Sequence, residues 1–276
     1  MHSLLRTMKV GMWLDYQIEA NWTTPLIFFV YNIAKPVGAS LLLLAMYYVV
    51  TGSVMGSDAL AFLYVGNAFY MVLSGVMMEL GWVVQEDREH YQTLKYIYIS
   101  PSSYYSYLIG RSAMRFFLQI FPLIFLLLLG TLIKVPYKID GTLLLFTLLF
   151  GWFFMISAGM VLNSVTLLTA RYGGAIGESF AGLFYLLSGV VFPISILPWY
   201  LRNFALFLPS TYWFSLIRRS VLGKEIDPFL SPISTSLCIL LLVITTIMFF
   251  SISLALYYLM NYLAKKKGTL EMITTY

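Results

Sequence analysis

The chain has 276 residues, of which 60% are hydrophobic and only 11% are charged. Soluble domains carry about 25% charged residues, so this composition excludes a water-soluble protein with an ordinary polar surface. The formal net charge of +5 is typical of the Lys and Arg bias that orients membrane proteins, and we predict no nucleic-acid partner from it.

Long stretches without charge alternate with short polar stretches along the chain. At roughly 20 residues per crossing, the apolar stretches leave room for six membrane-spanning helices and for no separate soluble domain. We therefore predict an all-α polytopic membrane protein with a single transmembrane domain over residues 25–264. The predicted spans are residues 25–50, 59–84, 104–133, 141–168, 177–192 and 233–263.

Residues 1–24 form an amphipathic segment before the first predicted span. Apolar side chains recur at helical spacing, opposed by charged ones, which predicts an interfacial helix along the inner membrane face. The alternative is a disordered start. The apolar residues are Leu4, Leu5, Met8 and Met12, and the charged ones are Arg6, Lys9 and Asp15.

The distribution of basic residues predicts the orientation. With both ends of the chain inside, ten Lys and Arg residues fall on the cytosolic side and six on the outer side. The positive-inside rule favours this arrangement. We predict cytosolic termini, an outer turn at residues 51–58, and a cytosolic tail, residues 265–276, that begins with three lysines.

The most polar passage, residues 79–115, separates the second and third predicted spans. It opens with four consecutive charges, which need water, and turns at Ser100-Pro101, where proline disfavours helix at the preceding residue. We predict a short cytosolic helix over about residues 86–100. Its apolar residues Leu94, Ile97 and Tyr98 need burial, which favours a partner-docking helix. The alternative is a solvated loop that only ends two helices.

Two passages carry the pattern of a known family. The first is Glu86-Asp87-Arg88-Glu89, Gln92-Thr93-Leu94, Ile99-Ser100-Pro101 and Leu108-Ile109-Gly110-Arg111, and the second is Ser188-Gly189-Val190-Val191-Phe192-Pro193, Leu197-Pro198, Leu208-Pro209-Ser210-Thr211 and Arg218. In this order around six apolar runs they resemble the type-2 exporter permeases of ATP-binding-cassette (ABC) transporters. Gln92 stands where that family often has Gly, and Lys95 where it often has Glu.

The resemblance implies a permease subunit of an ATP-driven exporter in the plasma (cytoplasmic) membrane. It implies a second permease chain, as a homodimer, and two separate ABC ATPase subunits that bind ATP and Mg. This chain contains no Gly-x-x-x-x-Gly-Lys-Ser/Thr motif, so we expect no cofactor in it. ATP binding is expected to push on the 86–100 helix. The ATPase-coupling residues we predict there are Glu86, Asp87, Arg88, Glu89, Tyr91, Thr93 and Leu94.

The region from 193 to 232 is interrupted by prolines and holds an apolar segment too short to span. Such lengths favour an extracellular re-entrant helical hairpin between the fifth and sixth spans. An aromatic group here is predicted to form an outer gate, and the alternative is an interfacial belt. The predicted gate residues are Phe192, Pro193, Trp199, Tyr200, Pro209 and Trp213.

We single out seven polar or charged residues within or at the ends of the predicted spans. Lys35 and Glu79 either pair with each other or snorkel separately. Asn67, Gln119 and Asn163 either line a substrate path or form interhelical hydrogen bonds. Arg111 and Arg115, one turn apart, are expected to snorkel towards lipid phosphates.

Enzymatic chemistry is the least supported class of function. The two histidines, His2 and His90, lie outside the apolar runs, and the five aspartates fall near or beyond span ends. We predict no catalytic and no metal-binding residues. The alternative function is an ion- or proton-coupled secondary transporter using Glu79 and Lys35, and a structural membrane anchor is a third class. Lipids, drugs, peptides and glycans all remain open as substrates.

Overall fold

The computed structural model describes residues 2–21, 23–52, 57–169 and 173–271, and within these ranges the chain is helical and has no strand. The α-helices are α1 (His2–Asn21), α2 (Pro25–Thr51), α3 (Asp58–Gln85), α4 (Leu94–Ile99), α5 (Tyr104–Leu132), α6 (Gly141–Leu168), α7 (Gly173–Leu187), α8 (Trp199–Ala205), α9 (Pro209–Leu222) and α10 (Thr235–Lys267). A π-helical turn, Glu86–His90, continues α3, and 3₁₀ turns lie at Ile194–Ile196 and Thr269–Glu271.

Five helices in the described ranges are long and apolar enough to cross a membrane, namely α2, α3 with its π turn, α5, α6 and α10. The remaining predicted span corresponds to α7, which has 15 residues. At 1.5 Å per residue it extends about 22 Å, which is short of a hydrocarbon core of about 30 Å. The all-helical membrane fold is thus confirmed, whereas a sixth crossing stays a prediction.

Local sequence signals explain where the helices begin and end. The Ser57 side chain accepts a hydrogen bond from the Leu60 N–H, and Asp140 accepts from the N–H groups of Thr142 and Leu143. These caps satisfy amide groups that a helix start leaves open. The helix that continues from α3 through the π turn ends before Gln92, which adopts a left-handed φ of 54°, and α4 begins as a separate helix at Leu94.

Helix α3 is the centre of the bundle and packs against α5, α6, α7 and α9. Its span is mostly buried inside the protein, whereas that of α2 is mostly exposed. Contact with α6 is close at Gly159, where an added Cβ would lie 2.5 Å from the Leu80 side chain. Asn163 of α6 donates to the Leu80 carbonyl at 2.9 Å, so the two helices are also joined by a buried hydrogen bond.

Helix α1 lies directly against α5. The crossing is close because a Cβ at Gly11 would lie 2.6 Å from the Tyr107 carbonyl oxygen, and one at Gly110 would lie 2.2 Å from that of Met8. The side chain of Asp15 faces this contact and is fully buried. The predicted grouping of Asp15 with the exposed charges of α1 is therefore wrong.

Candidate functional site

Arg111 of α5 is fully buried and contacts carboxylates from three chain segments. Its Nε lies 3.0 Å from Oδ1 of Asp15 on α1. Its Nη2 lies 2.7 Å from Oε2 of Glu86 and 3.5 Å from Oε1 of Glu79. Nη1 lies 3.6 Å from Oδ1 of Asp87. A planar guanidinium with five N–H groups suits such multiple pairing.

Arg115 repeats the arrangement one turn further along α5. Its Nη2 lies 2.7 Å from Oε1 of Glu19 on α1 and 2.6 Å from Oε1 of Glu79 on α3. Its Nε lies 3.8 Å from Oδ2 of Asp15. The expectation that Arg111 and Arg115 snorkel towards lipid is wrong, because both are held inside the protein by carboxylates.

We call these seven residues the inner charge cluster: Asp15, Glu19, Glu79, Glu86, Asp87, Arg111 and Arg115. Five carboxylates against two guanidinium groups leave a formal surplus of three negative charges in a largely buried space. Removing a carboxylate from water disfavours its charged form. Accordingly, burial raises the pKa of Asp15 above its ordinary value, although Arg115 and Arg111 act in the opposite direction.

A buried tyrosine ties the cluster to the turn after α3. The Tyr107 hydroxyl donates to Asp87 Oδ1 at 3.2 Å and accepts from Arg111 Nη1 at 3.2 Å. Thr93 Oγ1 lies 3.5 Å from the same Asp87 oxygen. The cluster therefore joins α1, α3, the π turn and α5 through one network of charges and hydrogen bonds.

The predicted docking helix over 86–100 is divided in two. Residues Glu86–His90 continue α3 as the π turn, and only Leu94–Ile99 form a separate helix, α4. Three of the predicted coupling residues are buried, namely Asp87, Arg88 and Leu94. The prediction that they face a partner is wrong for these three side chains.

Helix α4 turns its predicted apolar face towards the bundle. Leu94 packs in a core cluster with Leu80, Val83 and Tyr104, and Ile97 and Tyr98 pack against that cluster. Other side chains of this segment are exposed. Four of them form what we call the docking face: Tyr91, Lys95, Tyr96 and Ile99. Of the predicted coupling residues, Tyr91 lies on this face, Glu86, Glu89 and Thr93 are half-buried, and Glu86 belongs to the inner charge cluster.

A cavity of about 750 Å³ lies beside the inner charge cluster. It gathers side chains from α1, α2, α3, α5 and α7, and four of the five predicted intramembrane polar residues line it: Lys35, Asn67, Glu79 and Gln119. Asn163 does not, since its amide is bonded to the Leu80 carbonyl on the other side of α3. Three tyrosines, Tyr31, Tyr70 and Tyr185, also line the cavity. Sequence reasoning missed them, because aromatic residues are common in every span.

Lys35 and Glu79 share the cavity without pairing. Glu79 is bonded to Arg115 and Arg111, and Lys35 makes no ion pair with any residue in the described ranges. The hypothesis of a Lys35–Glu79 pair is therefore wrong. Lys35 is exposed to the cavity and the surrounding medium, whereas Glu79 belongs to the buried network.

The region predicted to lie on the outer side, which we call the outer region, is organised around another buried arginine. Arg218 of α9 donates to the carbonyl oxygens of Gly189 and Val190, just after α7 ends, and its guanidinium lies 3.5 Å from the Phe62 ring centroid. Gly66 of α3 permits this approach, since a Cβ there would lie 2.2 Å from the Val190 oxygen.

Side-chain hydrogen bonds complete the outer region. Ser188 donates to Ser210 at 2.6 Å, and the Ile194 N–H donates to Asp227 Oδ2 at 2.6 Å. The second sequence motif, which contains Ser188, Gly189, Ser210 and Arg218, is thus brought together in space. Its residues hold α7, α9 and the chain between them in one rigid unit.

The residues predicted to form the outer gate do not share one surface. Trp213 is fully buried, donates from Nε1 to the Thr147 carbonyl at 2.8 Å, and packs edge-on against Phe69. Its assignment to a gate is wrong, because it is a core residue, and Pro209 is buried at the start of α9. Phe192 and Pro193 are half-buried, whereas Trp199 and Tyr200 are exposed.

Comparison with known proteins identifies the family. No curated protein matches the sequence significantly. The model of the ABC-2 type transporter family matches residues 9–222, more than three quarters of the chain. The match begins in α1 and ends at the last residue of α9, so it contains the inner charge cluster, the docking face and the buried Arg218. The chain is a multi-pass membrane protein and belongs to the ABC-2 type transporter family.

Proposed function

We propose that this chain is the permease subunit of an ATP-driven ABC exporter, and that it couples to two separate ATPase subunits and works as a pair of permease chains. The observation that carries the proposal is the inner charge cluster. It joins the π turn directly to α1, α3 and α5, so a force applied beside the turn reaches three helices through buried charges.

The docking face is the surface on which the ATPase is proposed to exert this force. Tyr91 and Tyr96 are exposed aromatic side chains beside Lys95 and Ile99, a composition suited to a protein interface. On the opposite side of α4, Leu94 is packed into the core, so α4 moves with the bundle as a body. ATP-driven closure of the partner is then expected to tilt the packed helices.

Substrate is expected to move through the cavity beside Glu79. Its amides, tyrosines and charges offer hydrogen bonds within an apolar wall, as ligand sites do. The cavity lies between α2 and α7, and both helices expose apolar surface in the single chain. A second permease chain packed on this side would enclose the path. In this proposal the permease lies in the plasma membrane and moves its substrate out of the cell.

We also propose that α7 and the hairpin formed by α8 and α9 together complete a sixth crossing, with both termini cytosolic. Buried polar contacts such as Arg218 to Gly189 allow broken helices at membrane depth. Cysteine labelling on intact cells tests this orientation at Ser53→Cys, which lies outside the described residues, and at Lys266→Cys. We expect labelling of Ser53→Cys alone, and labelling of the tail alone would overturn the orientation.

The coupling proposal is tested by co-purification with the ATP-hydrolysing partner. Replacing Tyr91, Tyr96 and Ile99 with alanine should weaken association at least about tenfold, since interface anchors contribute about 2 kcal/mol when they are hot spots. The matched control replaces Trp199, Tyr200 and Phe207, equally exposed apolar residues of the outer region, and should keep full association. Unchanged association in the docking-face variant would show that this segment is an ordinary solvated turn.

Ion-coupled secondary transport is the second candidate, favoured by one observation. Glu79 and Arg115 line the cavity and belong to a cluster with surplus carboxylates, an arrangement that proton relays also use. Vesicles containing the permease alone distinguish the candidates. Accumulation driven by an ion gradient without ATP supports the second candidate, and transport only with the ATPase and ATP supports the first.

A further inference from the structure

Helix α1 separates its charges between two faces. Its two acidic residues, Asp15 and Glu19, turn inward and bind Arg111 and Arg115. Its two basic residues in the described range, Arg6 and Lys9, are exposed. Neither of them makes an ion pair with a described residue. The outward face therefore carries two positive charges and no carboxylate.

Large apolar and aromatic side chains share the outward face with these charges. Trp13 is 61% exposed, Tyr16 is 45% exposed and Leu5 is 53% exposed. Such exposure on a water-facing helix is unfavourable and marks a surface that contacts a membrane or another molecule. Basic residues mixed with Trp and Tyr are the composition found at the headgroup level of membranes.

The position of α1 in the chain places this face at the membrane boundary. Helix α1 ends at Asn21, and α2, an apolar candidate span, begins at Pro25. Leu26 in the first turn of α2 is already 74% exposed, as expected of a side chain in contact with lipid. Only three residues separate the two helices, so the carboxyl end of α1 lies close to where the chain enters the bilayer.

A groove beside this face has room for part of a lipid molecule. It has a volume of about 820 Å³ and lies between α1 and the segment that joins α4 to α5. Its walls are mostly apolar, and Arg6 is the one cationic side chain among the described residues that line it. The walls include Val10, Leu14, Ile97 and Pro101. A phosphate beside Arg6 with an acyl chain along the apolar wall matches this chemistry.

We propose that the outward face of α1, formed by Arg6, Lys9, Trp13 and Tyr16, is a binding surface for anionic phospholipids of the cytoplasmic leaflet. Lipid is the occupant that fits best, since the surface combines positive charge with interfacial aromatics and adjoins the first span. Because the inward face of the same helix carries Asp15 and Glu19, bound lipid also stabilises the position of α1 against α5. The proposal adds a ligand to the proposed permease and rests only on its membrane orientation, not on its ATPase.

Competition between two lipids of identical acyl chains tests the proposal on the purified full-length permease. Native mass spectrometry measures retained dioleoyl-phosphatidylglycerol against dioleoyl-phosphatidylcholine. Since each basic residue near a membrane surface attracts anionic lipid, we expect about a tenfold preference for phosphatidylglycerol. Arg6→Gln with Lys9→Gln should reduce the preference to about twofold or less.

The control removes two positive charges elsewhere. Lys134→Gln with Lys138→Gln changes two exposed lysines before α6 and should retain the full preference. Size-exclusion profiles and unfolding midpoints check that both double variants are folded. If the Arg6 and Lys9 variant does not fold, Trp13→Ala replaces it and should lower total retained lipid. Equal retention of both lipids by the wild-type protein would overturn the proposal.

A different partner would give a different pattern. If the surface binds an acidic region of the ATPase, the Arg6 and Lys9 variant loses co-purification of the ATPase and keeps its lipid preference, which also overturns the proposal. Failure of the ATPase to bind the wild-type permease would count against the proposed function instead, and the lipid measurement is unaffected by it.

Discussion

The inner charge cluster and the outer region each bury arginine, and the two regions satisfy its charge in different ways. In the inner charge cluster, Arg111 and Arg115 contact five carboxylates from three other chain segments. In the outer region, Arg218 has no carboxylate within ion-pair distance among the described residues, and instead contacts two backbone carbonyls and the ring of Phe62.

We infer from this difference that the inner charge cluster takes part in the proposed coupling, whereas Arg218 stabilises the fold. Charges in the inner cluster sit on separate helices, so their mutual attraction changes steeply when one helix moves. Arg218 binds carbonyl groups at the end of α7, and its contacts are packed against Gly66 of α3, which leaves little room for an alternative position. We therefore expect the inner cluster to govern the response to the ATPase, and Arg218 to govern stability.

The largest effect is expected from Arg111→Met. Without this guanidinium, four carboxylates lose a contact. Removing one partner of a buried ion pair lowers the free energy of unfolding by about 3–5 kcal/mol. Thermal unfolding of the purified permease should show a strongly lowered midpoint. The unfolding midpoint of Arg111→Lys should lie between those of the wild-type protein and Arg111→Met, because an ammonium group keeps the positive charge but cannot contact Asp15, Glu86 and Asp87 together.

Lys95→Met is the control for that series. Lys95 is exposed on the docking face and makes no ion pair among the described residues, so its midpoint should stay near the wild-type value. A midpoint for Arg111→Met that matches this control would show that the carboxylates are satisfied without the guanidinium.

Arg218→Met should have the next largest effect, of about 2 kcal/mol, because hydrogen bonds from a charged donor contribute about 1.5–3 kcal/mol. The loss should appear as a lower unfolding midpoint with unchanged ATPase stimulation per folded molecule. Arg202→Met, which alters a half-buried arginine over Phe229, is the control and should cost less. A folded Arg218→Met protein with lost stimulation would contradict the assignment of this arginine to stability.

Glu79→Gln addresses coupling with a smaller change in stability. The amide keeps the shape of the side chain but removes the charge that Arg115 contacts at 2.6 Å. Assembly should be retained while transport in reconstituted vesicles falls about tenfold, which corresponds to about 1.4 kcal/mol. Asp58→Asn, an exposed carboxylate paired with Lys224, should transport normally. Wild-type rates in Glu79→Gln would remove this residue from the site.

The smallest effect concerns pH and Asp15. Burial raises the pKa of Asp15, so the folded state binds this proton more tightly than the unfolded state does. Its contribution to stability is then greatest at low pH and is lost as pH rises through the raised pKa. Asp15→Asn imitates the protonated form, so the stability of the variant relative to the wild-type protein should increase as the pH rises above 3.8, the ordinary pKa of an aspartate. A trend of opposite sign would show that the arginines outweigh burial.

Composition and hydropathy alone were enough to predict the membrane fold. An 11% share of charged residues and long apolar runs leave no alternative to spanning helices, because backbone groups in lipid must bond within the helix. The two motifs predicted the family in the same way, since they are local patterns of turns and charges. The short α7 was also visible in the sequence as a run that ends early at Phe192-Pro193.

Which side of a helix faces inward could not be predicted from these patterns. Leu94 and Trp213 were both expected at functional surfaces, and both are core residues, because apolar side chains fit a partner, lipid or the protein interior equally well. Tertiary packing chose the interior by supplying Leu80 and Val83 around Leu94 and Thr147 and Phe69 around Trp213.

The sequence by itself determined that this chain crosses a membrane, carries most of its charges in short polar stretches between apolar runs and matches the motifs of the ABC-2 type transporter family. Only the tertiary structure decided which charges meet. Asp15 and Arg111 are 96 residues apart, and their 3.0 Å contact exists because Gly11 and Gly110 let α1 and α5 approach closely. Periodicity along one helix contains no information about the helix that packs against it, so Asp15 looked like a surface charge until its partner was in place.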